Sequence, residues 1–175
     1  MIHGLLVLAL CNGAGAADLF GKVVGVADGD TITILDASHR QHRIRLSGID
    51  APERRQAYGD RAKQHLAALV ADKAVHVSWD KRDRYGRIVG RVLLSVCERA
   101  RCRDDDAGLE QIRAGLAWHY RRYARDQPPA ERVEYAAVEQ QARDRREGLW
   151  REPDPVPPWA FRSASISSRT SPGVN

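Results

Sequence analysis

Between Leu19 and Cys97 the apolar residues follow two periods in turn. Leu19 to Ala27 carries Val23, Val24 and Val26, β-branched residues suited to a pleated strand. Asp28-Gly29-Asp30 is a turn signal. Thr31 to Leu35 alternates, with Ile32 and Ile34 on one face. Asp36-Ala37-Ser38-His39 turns the chain again, and Gln41 to Ile49 resumes the alternation. There Ile44 and Leu46 face one way, Arg43 and Arg45 the other. The three runs predict a meander in which Arg45 is directed away from the core. The period then changes: Ala62, Leu66, Leu69 and Val70 recur at helical spacing and predict a helix from Tyr58 to Val70. Ala74 to Trp79 alternates as a fourth strand, Asp80 to Gly86 is a charged loop, and Arg87 to Cys97 is a fifth strand.

The second half reads as helical. Asp104-Asp105-Asp106 precedes a short helix to about Ala114, where acidic groups suit the positive end of the dipole. Leu109, Ile112 and Leu116 form its apolar stripe, and Trp118 reads as core. Pro128-Pro129 opens a third helix to Glu147, with Tyr135, Val138 and Ala142 on one side; Gly148 is a stop signal. Pro153, Pro155, Pro157 and Pro158 then predict an extended segment lying along the domain through Trp159 and Phe161. From about Arg162 the serine-rich end is expected to be disordered. The fold class is α+β, mainly β. Five strands, a helix between the third and fourth and two further helices match a five-stranded OB-fold barrel, an architecture that recurrently binds nucleic acid.

The N-terminus falls outside this pattern. Leu5 to Leu10 is a short apolar run followed by Gly13-Ala14-Gly15-Ala16-Ala17, the form of a signal peptide over residues 1–17. The run is too short to span a bilayer. Leu10 before Cys11 is large for a lipoprotein cleavage site, which favours a periplasmic or secreted protein over a lipoprotein. The organisation expected is thus a leader over 1–17, one domain over 18–150, and an extension and tail over 151–175. The mature protein is expected to be a monomer without stable membrane association. In an oxidising compartment Cys97 and Cys102 could close a small loop by a disulfide; two free thiols are the alternative.

Composition adds one constraint. The net charge is +5, and 24 of the 28 basic residues are arginine. That balance favours polyanionic partners, although a GC-rich genome would produce the same bias.

Asp30 and Asp50 each stand beside a turn, at ends of paired strands that can meet. Two carboxylates with a backbone carbonyl and waters suit a hard cation, Ca²⁺ or Mg²⁺. Each alone would equally serve its own turn. Glu53, after Pro52, can hold a carboxylate near such a cation and orient or deprotonate a water. Arg45 and Arg87 lie where strands meet turns, and guanidinium groups match the charge on a phosphodiester in its transition state.

Four motifs bring these residues into a known order: Asp28-Gly29-Asp30-Thr31, Arg45-Leu46-Ser47-Gly48-Ile49-Asp50-Ala51-Pro52-Glu53, Asp83-Arg84-Tyr85-Gly86-Arg87 and Gly115-Leu116-Ala117-Trp118. In them the chain resembles the staphylococcal nuclease (thermonuclease) family, from about Leu19 to Trp150. The resemblance implies an OB-fold barrel with three helices and a Ca²⁺-dependent nuclease site. It implies Asp30 and Asp50 as metal carboxylates, with Ala51 giving a backbone carbonyl. It implies Glu53 as the residue that activates water, and Arg45 and Arg87 as phosphate-binding arginines. The implied reaction cleaves DNA and RNA, single strands preferentially, and leaves 3′-phosphates. Ala51 departs from the threonine of the best-known member, so a hydroxyl contact is lost there. Tyr85 matches a nucleotide-stacking tyrosine, and Tyr120 and Tyr123 both remain candidates for the other. A noncatalytic binder of nucleic acid or protein on the same fold is the alternative. Survival of all five of Asp30, Arg45, Asp50, Glu53 and Arg87 favours the enzyme.

Overall fold

The computed structural model describes residues 17–98 and 101–170. The expected leader lies outside these residues except for Ala17, as do Cys11 and residues 171–175 of the tail.

Ala17–Val26 forms β1, Thr31–Leu35 β2 and Gln41–Leu46 β3, with a short β4 at Ile49–Asp50. Helix α1 spans Gly59–Val70, followed by β5 at Ala74–Arg82, β6 at Ile88–Glu98 and β7 at Arg101–Asp106. Then come α2 at Ala107–Arg113, β8 at Trp118–His119, α3 at Pro129–Asp144 and α4 at Pro158–Thr170. β1 pairs antiparallel with both β2 and β5, β2 with β3, and β5 with β6. A parallel pairing of β3 with β6 closes the ring. The result is the expected five-stranded barrel, and β7 extends the sheet outward from β6.

Alternation fills the barrel. Ile32, Ile34, Ile44, Val77, Ile88 and Val92 are all buried, each worth about 1.5–3 kcal/mol of apolar transfer. α1 turns Ala62, Leu66 and Val70 inward, and α2 adds Leu109 and Ile112. On α3, Tyr135, Val138 and Ala142 are buried as their spacing predicts. A second cluster joins Trp118, Ala142, Leu149 and Trp150. Among the described residues no helix is long and apolar enough to cross a membrane.

Several boundaries differ from the periodic reading. The third strand stops at Leu46, because Gly48 takes φ 73° and the chain turns before β4. The acidic run is strand β7, with Asp104, Asp105 and Asp106 opposite Ser95, Leu94 and Leu93. Asp106 alone caps α2, accepting from the amides of Gly108 and Leu109. β8 has too few residues to show a period; it pairs with β4, Asp50 opposite Trp118. α3 ends at Asp144 rather than Glu147. The largest difference is α4. The stretch expected to lose order at Arg162 is helical from Pro158 to Thr170. Pro158 suits a helix's first turn, and Trp159 and Arg162 then share a face three residues apart. That face meets Tyr120, Trp118, Asp50 and Glu53. Cys97 and Cys102 are directly opposed across β6 and β7 and joined as a disulfide.

Candidate active site

The turn after β1 sets the first carboxylate. Asp28 Oδ1 accepts the Asp30 amide at 3.1 Å. Gly29 lies so close to its neighbours that a Cβ there would meet those of Ala62 and Ala51 at 2.6 and 2.7 Å. The Gly29 carbonyl accepts from Gln111 Nε2 at 2.6 Å, and the same amide group donates to the Ala62 carbonyl at 2.9 Å. One buried side chain of α2 therefore ties the turn to α1. Asp30, itself buried, accepts from the Ala51 amide at 2.9 Å and from the Thr31 hydroxyl at 3.0 Å.

Asp50 arrives on β4, held by β8. Its side chain is 1% exposed. Arg45, on the outward face of β3 as the alternation predicts, bridges both acids. Nη1 lies 3.0 Å from Asp30 and Nη2 donates to Asp50 at 2.9 Å. Burial pushes the Asp50 carboxyl above its ordinary value, against the lowering pull of Arg162 and Arg45. Burial and the neighbouring Asp30 charge raise Asp28 to about 6.

Arg87 is fixed by its own turn. Gly86 takes φ 77°, and Asp83 Oδ1 accepts the amides of Tyr85 and Arg87 at 2.9 and 3.0 Å. Asp83 Oδ2 accepts from Arg87 Nε at 2.7 Å. Burial alone would raise the Asp83 carboxyl, but the bonds from Arg87 and Tyr85 hold it below its ordinary value. Arg87 Nη1 reaches the Thr31 hydroxyl at 3.4 Å. The parallel register, Arg45 opposite Val89, carries Arg87 to the same end of the barrel as Arg45.

Glu53 lies in the turn between β4 and α1, its side chain 40% exposed. Its carbonyl accepts the Gln56 amide at 2.8 Å. Asp30, Arg45, Asp50, Ala51, Glu53 and Arg87 line one groove of about 890 Å³, with Tyr85, Tyr120 and Tyr123 along it. Tyr85 and Tyr123 are exposed, and the guanidinium groups of Arg84 and Arg87 lie over the Tyr85 ring at 5.0 and 5.6 Å. The predicted residues are thereby brought together, Cys97 and Cys102 excepted, which sit apart on the β6–β7 hairpin.

A cation fits this donor set on its chemistry. Among the described residues no group of three His, Cys, Asp or Glu side chains could hold a metal ion. What remains is a pair of oxygen donors, Asp30 and Asp50, close enough to share one guanidinium, and buried so that their charge needs compensation. That pair suits a hard cation completed by carbonyl oxygen and water.

One participant escapes the periodic reading. Arg162 of α4 donates to Asp50 through Nη2 at 2.7 Å and Nη1 at 3.2 Å, and to Glu53 through Nη1 at 2.7 Å. The signal for it was slight: a proline opening a helical turn, with Trp159 three residues before Arg162.

Comparison with known proteins agrees with this arrangement. Residues 43–152 match the family model described as Staphylococcal nuclease homologue. An Escherichia coli protein named "Uncharacterized endonuclease" is 43% identical over 148 residues, covering 83% of this chain and 86% of its own. A Shigella flexneri protein named "Micrococcal nuclease" is 39% identical over 150 residues, covering 85% of this chain and 83% of its own. A barrel with this closure, a groove with these acids and arginines, and similarity over most of the length converge on one conclusion: the chain belongs to the family of staphylococcal nuclease homologues.

Proposed function

We propose that this protein is a nuclease that hydrolyses the phosphodiester bonds of DNA and RNA with little sequence discrimination, depends on a divalent cation, and leaves 3′-phosphates. The observation that carries the reading is the convergence of Asp30, Arg45, Asp50, Glu53 and Arg87 on one groove.

In this reading Arg45 approaches the scissile phosphate from β3 and Arg87 from the turn that leads into the adjoining β6. Their forked donors match its non-bridging oxygens more strongly as negative charge develops there. Asp83 holds Arg87 in place while leaving its terminal nitrogens to face the groove. Glu53 accepts a proton from the attacking water. The oxygen of that water bonds to phosphorus, the bond from phosphorus to the 5′-oxygen breaks, and the leaving oxygen takes a proton. Asp30, Asp50 and the Ala51 carbonyl would hold the cation, Ca²⁺ or Mg²⁺, which would supply neutralisation of phosphate charge there. Tyr85, with Tyr120 or Tyr123, stacks on bases without reading them, which favours single strands. A monomer suffices, because one chain supplies every group. Export fits the apolar run Leu5 to Leu10, its small-residue end and the bonded Cys97–Cys102 pair. A site with two carboxylates also suits the higher calcium found outside the cytoplasm.

Single-stranded DNA labelled at its ends, digested with Ca²⁺, with Mg²⁺ or with EDTA, tests the reading. Wild type should cleave with a divalent cation and yield 3′-phosphate ends; Glu53→Gln and Arg87→Ala should each lose most of the rate. Binding of DNA without cleavage under any cation would favour a noncatalytic module.

A further inference from the structure

The Arg162 guanidinium lies where the carboxylates would meet a cation. It takes both oxygens of Asp50, through Nη2 at 2.7 Å and Nη1 at 3.2 Å. Arg45 already donates to one of those oxygens. Arg162 also takes the Glu53 carboxylate at 2.7 Å. The Asp50 bonds, with Glu53, raise the Arg162 pKa further, so its charge is permanent. It comes from neither barrel nor turn but from a helix beyond the family match, which ends at residue 152.

α4 makes a second contact in the same groove. The Trp159 ring stacks on Tyr120 at 5.4 Å and 28°, and meets Trp118 edge-on at 5.6 Å. It therefore covers a face of a tyrosine that would stack on a base. Upstream the segment is tied to the turn that carries Glu53: Gln56 Nε2 donates to the Val156 carbonyl at 2.5 Å, and the Tyr58 hydroxyl to Glu152 at 3.2 Å.

We infer that α4 is a self-inhibitory strap whose Arg162 competes with the divalent cation for Asp50, while Trp159 occupies a base-stacking face. This rests on the reading that Asp30 and Asp50 hold a cation. A cation at ordinary calcium–oxygen distance and a guanidinium forked onto the same buried carboxylate repel each other in a poorly screened place. Each must displace the other. Arg162 is the removable one of the two arginines on Asp50: its side chain is 41% exposed, against 14% for Arg45. Bound cation therefore favours release of α4, which frees Glu53 for water and Tyr120 for a base in one movement. Cation concentration, high outside the cell and low inside, becomes the switch.

The test uses the full chain without substrate, as wild type, Arg162→Ala and Arg162→Gln. Calorimetric titration with CaCl₂ should give about tenfold tighter binding in both variants, as expected if the strap is closed nine-tenths of the time. Hydrogen exchange of residues 158–165 should rise on adding Ca²⁺ to wild type and already be high in the variants. In DNA digestion, the calcium needed for half-maximal rate should fall by a similar factor. Equal calcium affinities in wild type and variants, with α4 protection unaffected by Ca²⁺, would overturn the strap and leave the cation reading standing. No calcium binding by any of the three proteins would overturn the cation reading and the strap with it. A large loss of rate in Arg162→Ala at saturating calcium would make Arg162 a third phosphate clamp instead.

Discussion

Arg87 Nε donates to Asp83 Oδ2 at 2.7 Å, and that bond orients the guanidinium. With Nε engaged, the terminal nitrogens face Thr31 and the groove. Asp83→Ala should leave the barrel folded but lower the rate about 10–100-fold, as expected when a phosphate-positioning group is misplaced by about 1 Å. Asp83→Asn, which can still accept from the turn amides, should lose less. Steady-state kinetics on single-stranded DNA, with unchanged unfolding midpoints, would check this; an active Asp83→Ala enzyme would remove Asp83 from the site.

Arg45 joins two neighbouring acids, Asp30 and Asp50, of which Asp50 also carries Arg162. Arg45→Ala should lower the rate about 100–1000-fold, the usual cost of removing one preorganised donor to a developing anion. It should also cost roughly 2–4 kcal/mol of stability without divalent cation, since it strips one partner from buried Asp50. Adding Ca²⁺ should return part of that stability but not the rate. Arg45→Lys should do little better than alanine in rate, because an ammonium has no fork with which to bridge Asp30 and Asp50. Urea titrations with and without Ca²⁺ separate the two effects.

Gln111 is fully buried, and its amide group serves two backbone carbonyls, Gly29 and Ala62, with His65 on its oxygen. Gln111→Ala would leave the Gly29 carbonyl without its donor inside the core and strip the Ala62 carbonyl, which keeps its helical bond, of a second one, at about 1–3 kcal/mol. Because one carbonyl belongs to the turn before Asp30, the variant should also bind cation more weakly than its lost stability alone explains. Calcium titration well below the melting transition would show this, and unaltered calcium affinity would confine Gln111 to a structural role.

The sequence carried the barrel because its strands are long enough for alternation to repeat. Ile32, Ile34, Ile44 and Leu46 face inward as their spacing requires, and Arg45 faces out for the same reason. The site was legible because its motifs lie on turns, where Gly, Pro and Asp have few roles to play. β4 and β8 were not legible, for two residues each cannot show a period; yet their pairing fixes Asp50 against Trp118. The β7 acids looked like a helix start because only Asp106 of the three is one. α4 was missed because serines and prolines lower intrinsic order, while what holds this helix is tertiary: Trp159 on Tyr120 and Trp118, and Arg162 on Asp50 and Glu53.

His119 gives the fold a pH dependence that reaches the site through β8. It is 4% exposed, and its Nε2 pairs with Gln127 Oε1 at 3.0 Å. Nδ1 has no hydrogen-bond partner among the described residues. Burial lowers its pKa, and the charge of Arg121 adds to this; the Gln127 bond and the Glu139 charge oppose them without prevailing. Its other close neighbour, the Tyr135 ring at 5.8 Å, is neutral, since burial and the Asp106 charge raise that phenol far above its ordinary value. The unfolded chain therefore takes up a proton at His119 near its ordinary value of 6.5, while the folded chain waits for lower pH. Stability contributed by neutral His119 is complete above that value and is lost as pH falls toward the folded pKa. Unfolding free energy should decline from pH 7 to pH 5 more steeply in wild type than in His119→Gln, which cannot titrate. Urea unfolding across that range would measure the slopes, and parallel slopes would assign the acid sensitivity elsewhere. Because Trp118 beside His119 is the residue opposite Asp50, calcium affinity should weaken over the same interval in wild type beyond what carboxylate protonation accounts for.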